Sequence, residues 1–135
     1  NNAESPREWD NLTTMITAHN RYIIGEKRAQ NIRSYNSWQE CAENELPKPT
    51  ELCFCFPLYM MDHSAQTLSI KPFDGEYGRW DSGQVGYIYV TKKAARENFG
   101  VKRLYPLLLN KVRNIIDAEI ETMNQYLHGE VYSFE

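Results

Sequence analysis

The sequence predicts an α+β fold in which a single domain, residues 1–135, forms a mostly antiparallel sheet packed on one face by a long C-terminal helix. The chain has 135 residues, 41% of them hydrophobic, which suits one domain with one core. Its strand-like and helix-like segments do not alternate as βαβ units, which argues against a parallel sheet. Residues 104–129 repeat apolar side chains every three or four positions, as a helix with one buried face does.

Capping residues mark the starts of three shorter helices. Ser5 predicts a short helix over residues 5–11, and Ser37 predicts a helix over residues 37–46. Each serine is followed three positions later by a glutamate, which completes a capping box. A threonine at the start and a glycine at the end bound a third helix over residues 91–100.

Strands are predicted where β-branched and aromatic residues run together. Residues 12–19 alternate in this way, and residues 50–61 form an apolar run in which Pro57 implies a bulge or an edge segment. After a turn at residues 62–66, residues 67–73 return as the second arm of a hairpin. The remaining segments are predicted as a strand over 84–90, a short strand over 131–134 and a polar loop over 20–36.

Bulk charge and cysteine content limit the function classes. The net charge is −3 and the pI about 5.7, so the chain lacks the strongly basic balance of many nucleic-acid-binding proteins, and only a local basic patch stays open. No apolar run reaches the roughly 20 residues that span a bilayer, and residues 1–9 show no signal-peptide pattern. Three cysteines, an odd number, indicate reduced thiols and a cytoplasmic location.

No catalytic residue, metal ligand or cofactor is assigned by motif. Asp62, His63 and Ser64 are consecutive, and neighbours on an extended chain point to opposite faces, so a turn is favoured over a catalytic triad. The histidines have no ligand spacing. Cys53 and Cys55 are expected on the same side of a strand as small buried hydrophobic residues.

Charged residues cluster in two places. In the loop over 20–36, the guanidinium of Arg21 can donate two hydrogen bonds to a phosphate or carboxylate, and Tyr22 offers a stacking surface. The loop is therefore predicted either to hold a nucleotide or an RNA backbone, or to be a solvated loop without a ligand. The other basic residues of this loop are Lys27, Arg28 and Arg33. On the long helix, three acidic residues predict a solvated surface, with a basic partner as the alternative. These residues are Asp117, Glu119 and Glu121.

The motif WDSGQVGYIYV allows both a structural and a functional interpretation. Asp81 can accept hydrogen bonds from the backbone N–H groups that follow it, and Gly83 can adopt a positive φ, so a tight turn explains the start of the motif. The functional interpretation needs Asp81 to lie beside His19 or His63. Gly86, inside the predicted strand, permits a bulge or a close backbone approach.

Several motifs together resemble a family of small uncharacterised proteins encoded in bacteriophage and other mobile-element genomes. They are SPREWDN (5–11), HxRYxxG (19–25), PLYMMDHS (57–64), WDSGQVGYIYV (80–90) and ExxTMNQYLxGEVY (119–132). The resemblance covers nearly the whole chain and implies an accessory role without a defined activity. Two segments depart from the family pattern, at residues 13–15 and in the longer loop over 74–79, and this favours a binding surface over a strictly built active site.

Three functions follow as hypotheses. The leading one is a non-enzymatic protein that inhibits a host defence protein or ribonucleoprotein, in the manner of an anti-CRISPR protein, through aromatic and arginine anchors such as Tyr77. The second is a small nucleotide-binding protein or hydrolase with a His/Arg/Asp pocket, and the third is an oligomer that pairs through an exposed strand edge. The candidate ligand- or partner-binding residues are His19, Arg21, Tyr22, Asp62, His63, Arg79, Trp80 and Asp81.

Overall fold

The computed structural model describes residues 5–17, 25, 27–28, 35–63, 65–72 and 82–129. The strands are β1 (Thr14–Thr17), β2 (Lys27–Arg28), β3 (Leu52–His63), β4 (Ala65–Ser69) and β5 (Ser82–Thr91). The helices are α1 (Trp38–Glu45), α2 (Lys92–Phe99) and α3 (Pro106–Leu127), with 3-10 turns at Pro6–Glu8 and Pro49–Glu51. This architecture confirms the predicted α+β fold with a long C-terminal helix packed on the sheet.

The described strands form one sheet in the order β2-β1-β5-β3-β4. β5 pairs antiparallel with β1 and β3, and β3 pairs antiparallel with β4. The pair between β1 and β2 is parallel and joins Ile16 to Lys27 and Thr17 to Arg28. The prediction of a loop throughout residues 20–36 is therefore wrong at β2, because two residues are too few to show a strand alternation.

The hairpin between β3 and β4 is tighter than its sequence predicts. His63 pairs with Ala65, so most of the predicted turn over residues 62–66 is strand. Pro57 lies opposite Tyr87, on a part of β3 that β4 does not reach, and a register shift follows between Leu58 and Tyr59. The prediction of a bulge or an edge segment at this proline is confirmed, because a residue without an N–H cannot complete a ladder on both sides.

Gly86 is a point of close backbone contact inside the sheet. It pairs with Thr17 on β1 and with Leu58 on β3. A Cβ atom added here would lie 1.9 Å from the backbone oxygen of Ile16, far inside van der Waals contact. The predicted close approach is confirmed, and the strand needs glycine at this position.

The main core lies between the sheet and α3. Buried side chains from both layers meet there, including Met15, Leu58 and Ile88 from the sheet and Val112 and Ile116 from α3. None of the helices in the described part of the chain combines the length and apolarity needed to cross a membrane.

A second apolar cluster covers the opposite face of the sheet. Cys41 of α1 packs there with Ile16 and Tyr89, and the Tyr87 hydroxyl donates a 2.7 Å hydrogen bond to the carbonyl of Trp38. Cys55 packs against this cluster, whereas Cys53 packs against the main core. The prediction that the last two cysteines share a face is wrong, because the register of β3 shifts between residues 52 and 54.

Most predicted caps are present. The Ser37 hydroxyl accepts a hydrogen bond from the Glu40 N–H, and that of Thr91 accepts one from the Ala94 N–H. Ser5 accepts from the N–H of Arg7 instead of Glu8, because the first helix is a single 3-10 turn too short for a capping box.

One residue of the predicted acidic surface on α3 is structural. The Glu119 carboxylate lies 3.3 Å from the Arg7 guanidinium and accepts hydrogen bonds from the backbone N–H groups of Leu12 and Thr13 and from the Thr13 hydroxyl. The side chain of Arg7 is only 3% exposed and that of Glu119 only 14% exposed. The prediction of a solvated face is therefore wrong for Glu119, whereas Asp117 and Glu121 are exposed.

Candidate functional site

Most of the predicted site residues lie outside the described part of the chain. These are His19, Arg21, Tyr22, Arg79, Trp80 and Asp81. The backbones of Asp62 and His63 are placed at the end of β3, opposite Gln66 and Ala65 of β4. The nucleotide-binding hypothesis needs four residues to converge on one pocket, and this stays a prediction. These residues are His19, Arg21, His63 and Asp81.

The end of the WDSG motif is strand instead of turn. Ser82 and Gly83 are the first residues of β5, and they pair with Met61 and Met60 of β3. Gly83 is not among the described glycines with a positive φ, which are Gly100 and Gly129. A Cβ atom added at Gly83 would meet no described atom within 4 Å, so neither backbone conformation nor packing within the described structure requires this glycine.

The structure places a different candidate site beside α2. A pocket of about 420 Å³ opens between α2, the start of β3 and the start of α3. We call it the basic pocket, because four of its described lining residues are cationic and none of these lining residues is acidic. Its lining residues are Leu52, Cys53, Lys92, Arg96, Lys102, Arg103, Leu104 and Leu109.

Local structure explains why the cations converge. Lys92 and Arg96 are four residues apart on α2 and so share one helix face. The helix ends at Gly100, whose φ of 66° is left-handed, and the N–H of Val101 bonds to the carbonyl of Arg96. This turn reverses the chain, so that Lys102 and the following residue line the same pocket as the α2 face.

The charges of the basic pocket have no ion-pair partner among the residues that the structure describes. Within the described residues, Lys92, Arg96, Lys102 and Arg103 form no ion pair and no side-chain hydrogen bond. Four like charges around one cavity repel each other, and they do so in a chain whose net charge is −3. An anion in the pocket would remove that repulsion, so the arrangement favours anion binding.

The apolar part of the pocket makes the site amphipathic. Leu52, Leu104 and Leu109 line it together with the thiol of Cys53. Burial raises the pKa of Cys53, and the positive charge of Lys92 offsets this only in part. The thiol is therefore protonated at neutral pH and lacks the thiolate character of a nucleophile.

A second pocket adjoins the first. It encloses about 360 Å³ and shares Lys92 and Arg96 with the basic pocket, and it is completed by Thr50, Glu51, Thr91 and Lys93. We call the two pockets together the basic groove. Among the described lining residues of this groove, five are cationic and one, Glu51, carries a carboxylate.

Metal and thiol chemistry find little support in the described residues. No group of three or more His, Cys, Asp and Glu side chains in these ranges is arranged to hold a metal ion. Burial raises the pKa of Cys55 to about 11 and also raises that of Cys41. None of the three cysteines forms a disulfide in the structure.

A local cluster of basic residues in the sequence indicates this site, although the net charge of the whole chain is −3. Residues 92–103, KKAARENFGVKR, hold five basic residues and one acidic residue, a denser cluster than the loop over 20–36. The sequence predicts a capped helix over residues 91–100, and this pattern does not indicate that the basic residues before and after Gly100 lie close together. The turn at Gly100 brings them to the same pocket.

Comparison with known proteins does not identify a family for this chain. No protein-family model matches the chain, and neither the curated proteins nor the solved structures contain a match.

Proposed function

We propose that this protein acts by binding a phosphate-bearing ligand in the basic pocket. The observation that carries the proposal is the convergence of four cationic side chains, unpaired within the described residues, on one cavity without a carboxylate. A guanidinium presents N–H donors in a planar fork that matches two phosphate oxygens, and the pocket has two guanidiniums, Arg96 and Arg103.

The apolar lining favours an organic phosphate over a free inorganic ion. Three leucines offer contact to a nonpolar group such as a base or a sugar face, while the cations hold the phosphate. The volume of about 420 Å³ lies within the range of roughly 300–1,000 Å³ that is usual for small-ligand sites. A nucleotide meets both requirements.

This proposal moves the nucleotide-binding hypothesis from the His19 and Asp81 region to the basic pocket. It is a binding function, as the resemblance to mobile-element proteins implies, and it includes a cytoplasmic location, which three unpaired thiols support. Inhibition of a host defence protein or ribonucleoprotein stays a prediction that depends on residues outside the described ranges. A ribonucleoprotein would itself present phosphate groups to such a pocket.

Titration calorimetry with ATP and with pyrophosphate at low salt tests the proposal. We expect both to bind, and we expect Arg96→Gln and Arg103→Gln each to weaken binding by roughly 10- to 100-fold, since a hydrogen bond to a charged group contributes about 1.5–3 kcal/mol. Lys71→Gln is the matched control, because Lys71 is exposed beyond the end of β4 and does not line the groove. The proposal fails if the folded wild-type protein binds neither compound, or if the control loses as much affinity as the arginine variants.

A further inference from the structure

We propose that the ligand of the basic groove is single-stranded nucleic acid, an inference that rests on the proposed phosphate-binding function. The basic pocket alone suits one nucleotide, whereas the groove continues past it. Lys92 and Arg96 line both pockets, and Lys93 extends the positive charge beyond the first one. A ligand with successive phosphates can contact all five cations, whereas a mononucleotide in the basic pocket leaves Lys93 without a phosphate contact.

Two exposed apolar residues lie close in sequence to residues that line the basic pocket. Tyr105 is 48% exposed and follows Leu104 directly, so its Cα lies about 3.8 Å from that of a pocket residue. Leu107, in the first turn of α3, is 59% exposed, and its helix supplies Leu109 to the pocket. In the proposed complex, the exposed Tyr105 ring stacks on a base while the nucleic-acid backbone follows the cations, since single-strand-binding proteins combine aromatic side chains with a positively charged groove.

The shape of the site distinguishes a single strand from a duplex. The cations line two concave pockets, and a flexible strand can turn its phosphates into such cavities. A duplex is read by a helix or ribbon that projects into one of its grooves. Along α2, however, the cations Lys92 and Arg96 face cavities instead of forming a convex ridge.

Fluorescence polarisation with labelled 12-nucleotide single strands, of RNA and of DNA, tests the inference. We expect either strand to bind at least about 10-fold more tightly than ATP or than a duplex of the same sequence. We also expect a log–log salt slope of about −2 to −3.5, which corresponds to roughly three to five phosphate contacts. Tyr105→Ala should weaken strand binding by roughly 5- to 100-fold, Tyr105→Phe should preserve it, and neither should change pyrophosphate binding.

Two outcomes separate this inference from the function on which it rests. If ATP and pyrophosphate bind through Arg96 and Arg103 but the strands bind no more tightly, phosphate binding stands and the inference is overturned. If no phosphate-bearing probe binds, both are overturned. The exposed aromatic Trp9 provides the matched control, since Trp9→Ala should leave strand binding unchanged. Equal binding of strand and duplex, or strand binding that Tyr105→Ala does not alter, also overturns the inference.

Discussion

Glu119 is expected to be one of the most sensitive polar positions in the protein. Its two carboxylate oxygens accept four hydrogen bonds, from the Arg7 guanidinium, the backbone N–H groups of Leu12 and Thr13, and the Thr13 hydroxyl. Three of them converge on Oε1 and the fourth, at 2.8 Å, reaches Oε2. They attach the N-terminal segment of the chain to the middle of α3.

The two substitutions at Glu119 have different expected costs. Glu119→Gln retains one acceptor oxygen, but its amide group then faces at least one N–H donor, and an unsatisfied buried donor costs about 1–3 kcal/mol. Glu119→Ala removes all acceptors and leaves the Arg7 charge without this partner, which costs about 3–5 kcal/mol for a buried pair. Arg7 retains bonds to the carbonyl and hydroxyl of Thr13, so the lower end of that range applies.

Urea unfolding at neutral pH measures these costs directly. With a urea m value of about 1–3 kcal/mol/M, a loss of about 3 kcal/mol lowers the midpoint by at least about 1 M. Glu121→Ala is the control, because Glu121 lies on the same helix and is exposed. The reasoning is refuted if Glu119→Ala stays within about 0.5 kcal/mol of the wild type, which is the usual range for surface substitutions.

Three further predictions concern Gly86 with Gly83 as its control, Asn124 and Cys55. Gly86→Ala places a Cβ atom 1.9 Å from a backbone oxygen of β1 and should lower the free energy of unfolding by about 3 kcal/mol or more. Gly83→Ala is the control, because no described atom lies within 4 Å of its added Cβ, and it should change stability by under about 0.5 kcal/mol. Thermal unfolding measures both. The Asn124 side chain accepts a hydrogen bond from the N–H of Leu68 on the edge strand β4 and donates one to its carbonyl. Asn124→Ala should therefore lower the free energy of unfolding by about 1–3 kcal/mol and promote self-association at this edge, which light scattering measures. A monomer of unchanged stability would contradict this. Burial raises the pKa of Cys55 from 9.0 to about 11, so the folded state holds this proton more tightly than the unfolded state does. The free energy of unfolding should therefore fall between pH 9 and 11, and urea titrations should show a smaller fall for Cys55→Ala. The same fall in both proteins would refute the link between Cys55 and this pH dependence.

The features that the sequence predicted well are local ones. Ser37 and Thr91 cap their helices through hydrogen bonds to N–H groups three residues away, so their pattern contains the whole interaction. The apolar period of α3 predicted its buried face, including Val112 and Ile116, because one face of the helix packs on the sheet. The close backbone contact at Gly86 was also predicted from a local pattern, since a glycine inside a strand of large residues indicates close contact.

The features that were missed depend on distant partners or on register. Glu119 resembles a solvated residue until the structure places Arg7, which is 112 residues away in sequence, beside it. Cys53 and Cys55 obey the two-residue alternation of a strand only if no bulge intervenes, and one does. The basic pocket requires the reversal at Gly100, and a capped helix followed by two more cations gives no indication that both ends will face one cavity.

Arginines at two places in this protein have opposite expected effects on stability, and the contrast supports the assignment of function to the basic pocket. Arg7 is buried and matched by a carboxylate, so its removal should destabilise the fold. Arg96 and Arg103 line a pocket with two lysines and no carboxylate, so neutralising either should leave the free protein as stable as before or stabilise it at low ionic strength. A fold that retains repulsive charge at one site while it neutralises charge at another is typical of a binding site whose ligand supplies the missing counter-charge. Ligand should accordingly raise the unfolding temperature of the wild type by mass action and have little effect on a variant that lacks both pocket arginines.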